Sequence, residues 1–194
     1  ATLREADVML AAVRRAGVHF MVGHVLRFFP EFAALRRLVQ DGTLGAAGVI
    51  RMSRGGAYPR GYGNWYSNLA RSGGPLLDLV IHDFDWLRWT FGPVRRVHAR
   101  VTYGLKPLPQ AYTLTLLRMA AGPMAHVEGF WGHDLPFRVG VEIAGSKGMA
   151  EYDSAVPAAL TVHRAAGRPG RPAVAVPESP LALSPYEAED RHFI

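Results

Sequence analysis

"GGPLLDLVIHDFDWLRWTFGPVRRVHARVTY" spans residues 73–103, and its hydrophobic period changes partway along. The first part repeats apolar residues at helical spacing after two glycines, which predicts one helix over residues 74–91. From Val94 onward the pattern alternates, with Val97, Ala99 and Val101 separated by charged residues, which predicts a strand. A helix followed by alternating strands indicates an α+β domain.

More alternating stretches follow at hairpin spacing, and glycine- and proline-containing turns separate them. They predict an antiparallel meander, forming an open, mostly antiparallel β-sheet with helices on one face. Residues 47–54 predict a further strand, and the Pro-, Gly- and Ala-rich residues 164–185 predict an extended surface segment. The meander stretches are "AYTLTLLRM" (111–119), "MAHVEGFW" (124–131), "FRVGVEIA" (137–144) and "MAEYD" (149–153).

The first forty residues show a different order of elements. Residues 3–16 predict an amphipathic helix that ends at Gly17, and "VHFMVG" (18–23) predicts a buried strand. Pro30 opens a second predicted helix, "EFAALRRLVQ" (31–40). Helix, strand, helix is the order expected at the end of a parallel α/β sheet. The chain does not begin with Met, so we expect it to be part of a longer protein.

Composition excludes several classes of function. The 194 residues carry a net charge of +6, but the arginines are scattered and not interleaved with stacking aromatics, so we expect no nucleic-acid partner. No apolar run approaches the roughly 20 residues that span a bilayer. The absence of cysteine excludes disulfides, thiolate metal sites and a cysteine nucleophile, and fits a cytoplasmic protein.

The predicted helix of residues 74–91 carries four ionisable groups within eight positions, residues 78–85, among apolar neighbours. Asp78 and His82 are four residues apart, so in a continuous helix they lie on the same face, with Asp85 near it. A carboxylate beside an imidazole is typical of an acid/base pair that moves a proton to or from an oxygen atom. A buried Asp–His hydrogen bond without chemistry fits the same spacing. A metal site using His82 and Asp83 is a third interpretation, although those two residues do not share a face.

The loop-like stretch of residues 55–72 is long for a connection within a compact domain, as functional loops often are. Asn64 and Trp65 are candidate polyol contacts, the indole against a sugar face and the amide with hydroxyl groups. Turn and core roles fit both residues equally well. No GxGxxG or GxxxxGK[ST] sequence occurs, so the chain lacks a phosphate-binding glycine loop.

Several of these stretches, in this order, resemble the glucose–fructose oxidoreductase/inositol dehydrogenase/MocA-like (Gfo/Idh/MocA) oxidoreductases. "GVHFMVGHVLRFFPEFAALRRLVQDGTLG" is similar to the last strand of the family's nucleotide domain, its Arg-Phe-x-Pro segment and the next helix. "GGPLLDLVIHDFDWLRWTFG" resembles the catalytic helix with its Asp-x-x-x-His motif. "HVEGFW", "VEIAGSKGMAEYD" and "SPYEAEDRHFI" resemble the later strands and the approach to the final helix.

The resemblance implies a Rossmann domain that binds NAD or NADP, followed by a substrate domain on an open sheet. Residues 1–24 would then be the C-terminal remnant of the Rossmann domain, and 25–194 the substrate and oligomerisation domain without its final helix. The implied reaction is hydride transfer between the nicotinamide and a carbinol carbon of a sugar, polyol or related alcohol.

The resemblance also assigns roles to individual residues. His82 matches the proton-transfer histidine, Asp78 the aspartate that positions it, and Arg27 an arginine bordering the active site. Trp65 and Asn64 lie where substrate contacts vary. The family's Glu-Lys-Pro motif would precede Ala1, so the 194 residues alone should be inactive.

Two other hypotheses remain open at this stage. In the first, the chain is a non-catalytic sheet domain used for assembly. In the second, it is a metal-assisted hydrolase or isomerase. Because neither side of "MAHVEGFW" is cleanly polar, we also expect a homodimer or homotetramer that packs through the open sheet face.

Overall fold

The computed structural model describes residues 2–59, 61–104, 110–132, 136–156, 160–164, 173–174 and 183–194. Most of the predicted extended segment, residues 164–185, lies outside these ranges. The helices are α1 (Leu3–Ala16), α2 (Pro30–Gln40), α3 (Leu69–Ser72), α4 (Gly74–Asp78), α5 (Ile81–Phe91) and α6 (Pro185–Phe193), with 3-10 helices at Val25–Phe28 and Tyr62–Ser67. The strands are β1 (Ala47–Gly56), β2 (Val94–Tyr103), β3 (Ala111–Met119), β4 (Met124–Trp131), β5 (Arg138–Gly145), β6 (Gly148–Asp153), β7 (Leu160–Arg164) and β8 (Ala173–Val174).

The eight described strands form one sheet in the order β2-β3-β4-β1-β5-β6-β7-β8. The open, mostly antiparallel sheet is confirmed, since β1 and β4 form the one parallel pair among these strands. The uninterrupted meander is wrong, because β1 lies between β4 and β5. Hairpin spacing reports that two strands follow each other closely, but not whether an earlier strand pairs between them.

One face of the sheet is covered and the other is open. In β4 the buried side consists of Ala125, Val127, Gly129 and Trp131, while the other side is only partly covered. Helices α2 and α5 contribute Phe32, Leu35, Trp86 and Leu87 to the same core as the inward residues of the central strands. Trp86 anchors this layer, donating its indole N–H to the carbonyl of Phe32 at 3.1 Å.

The N-terminal segment is only partly as predicted. Helix α1 is confirmed: Thr2 and Glu5 form a capping box, and Gly17 ends the helix in a left-handed conformation. The predicted strand at residues 18–23 is wrong, because these residues pair with none of the described strands. A strand needs a partner for its backbone groups, and Val18, Phe20 and Val22 are exposed on alternate positions.

The predicted helix of residues 74–91 is broken into α4 and α5. The N–H of Val80 reaches back to the carbonyl of Pro75 at 2.9 Å, five residues away, which widens the turn between the helices. Val80 packs against Gly129 of β4, where a Cβ would come within 2.4 Å of Val80 Cγ1. The break therefore brings the chain onto the sheet at a glycine.

The stretch predicted as a loop, residues 55–72, contains a 3-10 helix and the short helix α3. Asn64 has φ +50° and follows Gly63 at φ +59°, so the two residues form a left-handed kink inside the 3-10 segment. No helix in the described residues is long and apolar enough to cross a membrane.

Candidate functional site

A cavity of about 430 Å³ lies between the helices, the N-terminal end of α2 and the sheet. One basic, one acidic and one imidazole side chain line it: Arg54 from β1, Asp78 from the end of α4 and His82 from the first turn of α5. A largely apolar cavity with a few converging polar groups is typical of a small-molecule site. Its aromatic wall is formed by Phe29, Phe32, Tyr152 and Tyr186.

His82 is held as a neutral base by its surroundings. Burial lowers the pKa of its imidazole below 6.5, and the nearby cation of Arg54 lowers it further, while Asp83 and Asp85 act in the opposite direction. Its Nδ1 atom is buried and has no hydrogen-bond partner. A neutral imidazole at a cavity wall is able to accept a proton near neutral pH.

Asp78 faces the same cavity but is not stacked on His82. The prediction that both residues lie on one continuous helix face is wrong, since Asp78 ends α4 and His82 lies in α5. Burial raises the pKa of Asp78, and His82 is not among the groups that shift it. The structure thus brings the two side chains to one cavity without the expected pairing.

Arg54 and Asp83 form a buried ion pair next to the cavity. Arg54 Nε and Nη2 donate to the two carboxylate oxygens of Asp83, both at 2.8 Å. Their side chains are 7% and 2% exposed. This pair fixes α5 to β1 and leaves Asp83 unsuited to the metal interpretation. In the part of the chain that the structure describes, no three His, Asp or Glu side chains are placed to hold a metal ion.

Arg27 borders the site through Asp85. Its Nε and Nη2 atoms donate to Asp85 at 2.7 and 2.6 Å, and this hydrogen bonding raises the pKa of Arg27. Asp85 Oδ1 also lies 3.8 Å from His24 Nε2. The ring of His24 meets that of His82 edge-on, with centroids 6.1 Å apart. Arg27 itself does not line the cavity.

Asn64 and Trp65 are not brought to the cavity that His82 lines. Asn64 is exposed, and the Trp65 ring lies 5.0 Å from that of Tyr66. Tyr66 in turn packs edge-on against Trp131 at the end of β4. The two residues thus belong to an aromatic cluster at the end of the sheet.

A larger concavity of about 590 Å³ lies on the open face of the sheet. Its charged groups are mostly engaged with each other, as in the pairs Arg51–Glu142 and Arg138–Asp153. The smaller cavity is the candidate site, because of these two it alone collects a partly buried imidazole and a carboxyl group that has no ion pair among the described residues.

The sequence offered a signal for Arg54 that was missed. Ile50, Met52 and Arg54 occupy alternate positions of β1 and all point inward. An arginine in an inward position requires a buried anion, and Asp83 on the apolar helix supplies it. The contact between His24 and His82 joins residues 58 positions apart, and no local pattern predicts it.

The fold and the site define the class of the chain: an α+β domain with one covered sheet face and a histidine-lined cavity under its helices. The family model described as the GFO/IDH/MocA C-terminal domain matches residues 32–151. The chain belongs to the Gfo/Idh/MocA family of oxidoreductases, and the predicted resemblance is confirmed.

Individual relatives agree with this assignment. The uncharacterized oxidoreductase YrbE of Bacillus subtilis (strain 168) is 30% identical over 174 residues, covering 84% of this chain and 49% of the relative. The inositol 2-dehydrogenase of Rhizobium meliloti (strain 1021) is 27% identical, with 79% of this chain and 47% of the relative covered. The chain thus spans about half the length of these curated relatives.

A solved structure has the same fold. Levoglucosan dehydrogenase in complex with NADH and L-sorbose superimposes with a TM-score of 0.74 at 20% identity, covering 96% of this chain and 53% of that one. At this identity the likeness establishes the fold alone.

Proposed function

We propose that this chain is the substrate-side part of an NAD(P)-dependent oxidoreductase that acts on a carbinol carbon of a sugar, polyol or related alcohol. The observation that carries the proposal is the cavity where His82, held neutral by burial, and Asp78 face the same space. Its volume of about 430 Å³ lies within the range of roughly 300–1,000 Å³ for small-molecule pockets.

In this proposal each cavity residue has a defined task. His82 takes the proton from the substrate hydroxyl as the alcohol is oxidised, and returns it in the reverse direction. Asp78, whose pKa is raised by burial, binds a substrate hydroxyl beside His82. Arg27, Asn64 and Trp65 lie outside the cavity, so they are proposed contacts for a substrate that extends beyond it.

The nicotinamide supplies the hydride acceptor or donor when it is bound. The chain fits this cofactor only in part: it offers a proton-transfer group but no glycine loop for the pyrophosphate. We therefore assign the nucleotide to a preceding Rossmann domain, of which residues 1–24 would be the C-terminal remnant. The exposed alternate residues Val18, Phe20 and Val22 support this, because a neighbouring strand and helix would cover them.

We also propose that the open sheet face pairs two copies of the chain, as a homodimer or within a homotetramer. Leu116, Tyr112 and Met124 expose apolar area on this face. Its charges are segregated: Arg96 lies opposite Arg118 on β2 and β3.

At the other side of the face, Glu142 lies opposite Glu151 on β5 and β6. Like charges directly across two strands repel each other. A two-fold axis parallel to the strands, near β4 and β1, would lay the basic half of one copy over the acidic half of the other. An axis perpendicular to the strands would lay arginine on arginine, so we favour the first.

The activity is tested with the longer polypeptide that carries this chain behind its nucleotide domain. Reduction of NAD and NADP is followed by absorbance with a panel of polyols and sugars, for the parent protein and for His82→Ala. We expect kcat to fall by roughly 10²–10⁴ in His82→Ala, and Arg88→Ala, at an exposed position of the same helix α5, to serve as the control. Near-normal turnover of His82→Ala at saturating substrate would show that His82 is structural.

A further inference from the structure

The ring of His24 packs against the ring of His82, and the proposed reaction gives His24 no role. The two rings meet edge-on at 86° with centroids 6.1 Å apart. His24 precedes the 3-10 helix Val25–Phe28, and His82 lies in the first turn of α5. Two separate elements therefore bring two imidazoles together at the edge of the candidate site.

His24 is supported on its other side by a pair of charged residues. Asp85 Oδ1 lies 3.8 Å from His24 Nε2, and the same carboxylate is held by two hydrogen bonds from Arg27. The Arg27 guanidinium also lies 5.5 Å from the ring centroid of Trp89. Asp85 is thus fixed in place and attracts a proton on His24 Nε2, as a carboxylate does for an imidazole.

The Nδ1 atoms of both histidines are buried and have no hydrogen-bond partner in the part of the chain that the structure describes. A buried polar atom without a partner costs free energy, so such atoms usually indicate a water or a ligand. A water bonded to both Nδ1 atoms would supply the partner that each of them lacks. An imidazole that takes up a proton at one nitrogen is able to release it at the other, so two such rings joined by a water form a proton path.

The proposed oxidation also creates a need for such a path. Each alcohol that loses a hydride also loses one proton, and His82 receives it in a partly buried position. Burial and the cation of Arg54 both oppose a long-lived positive charge there. His24 is partly exposed, at 24% of its side chain, and lies between His82 and the Asp85 side of the site.

We propose that His24 relays the proton from His82 to solvent during alcohol oxidation, and in the reverse direction during reduction. The inference rests on the proposed function. One O–H bond of the substrate breaks and one N–H bond forms on His82. The proton on His82 Nδ1 then passes through the bridging water to His24 Nδ1, and the proton on His24 Nε2 leaves to water beside Asp85.

The charges around the two rings are compatible with this direction. Asp85, Asp83 and Arg54 act on His82 together with His24 itself. Asp78 faces the same cavity. Around His24 stand Asp85 with its partner Arg27 and, from α6, Glu189, whose carboxylate lies next to Gly23 and has its Oε1 atom buried without a partner. Carboxylates therefore lie beside both rings, and Asp85 acts on both.

The experiment uses the intact oxidoreductase and separates the first turnover from the steady state. In His24→Ala we expect NADH to form at the parent rate in the first turnover, because His82 and Asp78 are unchanged. Steady-state turnover should fall about 10²-fold, the low end of the worth of an acid/base group. Release of the proton, followed with a pH indicator in weak buffer, should slow by the same factor. Free imidazole should restore turnover in a saturable manner, and Arg88→Ala, at an exposed position of α5, should behave like the parent.

Two results would overturn the relay. A His24→Ala variant that slows the first turnover as much as the steady state, without rescue by imidazole, would make His24 a packing residue for His82. A variant with unchanged turnover and proton release would remove it from the reaction. Failure of the proposed function looks different, since the parent protein would then be inactive or His82→Ala would be fully active.

A second measurement on the 194-residue chain does not depend on activity. The pKa of His82 is followed by NMR of the imidazole nitrogens in the parent, His24→Gln and Asp85→Asn. Because His24 lowers the pKa of His82 and Asp85 raises it, we expect a higher value in His24→Gln and a lower one in Asp85→Asn. An unchanged pKa in both variants would show that the rings are not coupled in solution.

Discussion

Removal of the Asp83 carboxylate should be the most damaging single change near the site. Asp83→Leu leaves the Arg54 guanidinium in place, with its two 2.8 Å hydrogen bonds lost and its side chain only 7% exposed. An uncompensated buried charge of this kind costs about 3–5 kcal/mol. Since domains of this kind unfold with about 5–15 kcal/mol, the variant should lose a large part of its stability.

The size of the effect follows from the slope of urea unfolding. With a slope of about 2 kcal/mol per molar urea, a loss of about 4 kcal/mol lowers the midpoint by about 2 M. Fluorescence of the buried Trp86 is a suitable signal for the 194-residue chain. Glu187→Ala, which removes an exposed pair with Arg191, is the matched control and should change the free energy of unfolding by less than about 0.5 kcal/mol.

The double variant Arg54→Met/Asp83→Leu tests the cause. Replacing both partners removes the buried charge, so stability should recover most of what Asp83→Leu loses. If Asp83→Leu costs no more than Glu187→Ala, or if the double variant is as unstable as the single one, the buried ion pair does not hold α5 against β1 as described.

Three further outcomes are expected. Gly129→Ala should destabilise the chain by about 1–3 kcal/mol in urea unfolding, because its Cβ would lie 2.4 Å from Val80 Cγ1; Gly48→Ala, whose Cβ meets only Ala144 O at 3.9 Å, should be nearly neutral. The pKa of His82 is lowered from 6.5, so near and below pH 6.5 the unfolded chain binds more protons than the folded chain, and the free energy of unfolding falls as the pH falls. This loss of stability should be smaller in His82→Gln. The same pH dependence of the urea midpoint in the variant and the parent would contradict this prediction. Leu116→Asp on the open face should produce monomers in light scattering, whereas Val97→Asp on the opposite face of the same hairpin should leave the oligomer intact; equal behaviour of the two would argue against the proposed interface.

Local signals in the sequence predicted the elements that depend on local interactions. Helix α1 follows from its capping box and from Gly17, both of which act within a few residues. The strands follow from their alternation, which reports the two faces of a sheet. Predictions failed where the outcome depends on distant partners. Residues 18–23 have a strand-like composition, but they find no strand to pair with among the described residues.

The order of strands and the break before α5 have the same kind of cause. Strand β1 enters between β4 and β5 because its two edges pair with strands about 75 and 91 residues away, as in Met52–Val127 and Arg51–Glu142. The short spacing between consecutive strands does not predict that a distant strand pairs between them. The break at Val80 depends on Gly129, which is distant in the sequence. The sequence therefore identified Asp78 and His82 as a candidate pair, but it did not predict how the two side chains are placed relative to each other.

The four ionisable groups of the helical stretch divide into two kinds once their partners are known. Asp83 is neutralised by Arg54 and Asp85 by Arg27, each through two hydrogen bonds from another part of the chain. Asp78 and His82 have no such ion pair within the described residues, and burial is the largest cause of the shift in each pKa, upward for the carboxyl and downward for the imidazole.

Burial therefore brings the pKa values of Asp78 and His82 closer together than in water, so the cost of holding a proton on either side chain is more nearly equal. Asp83 and Asp85 have a different role, because each is held by an arginine. Asp83 anchors α5 to β1, and Asp85 anchors α5 to the segment that carries His24. An apolar helix tolerates four ionisable residues because two of them hold the framework. In the proposed function, the other two exchange a proton with a molecule in the cavity.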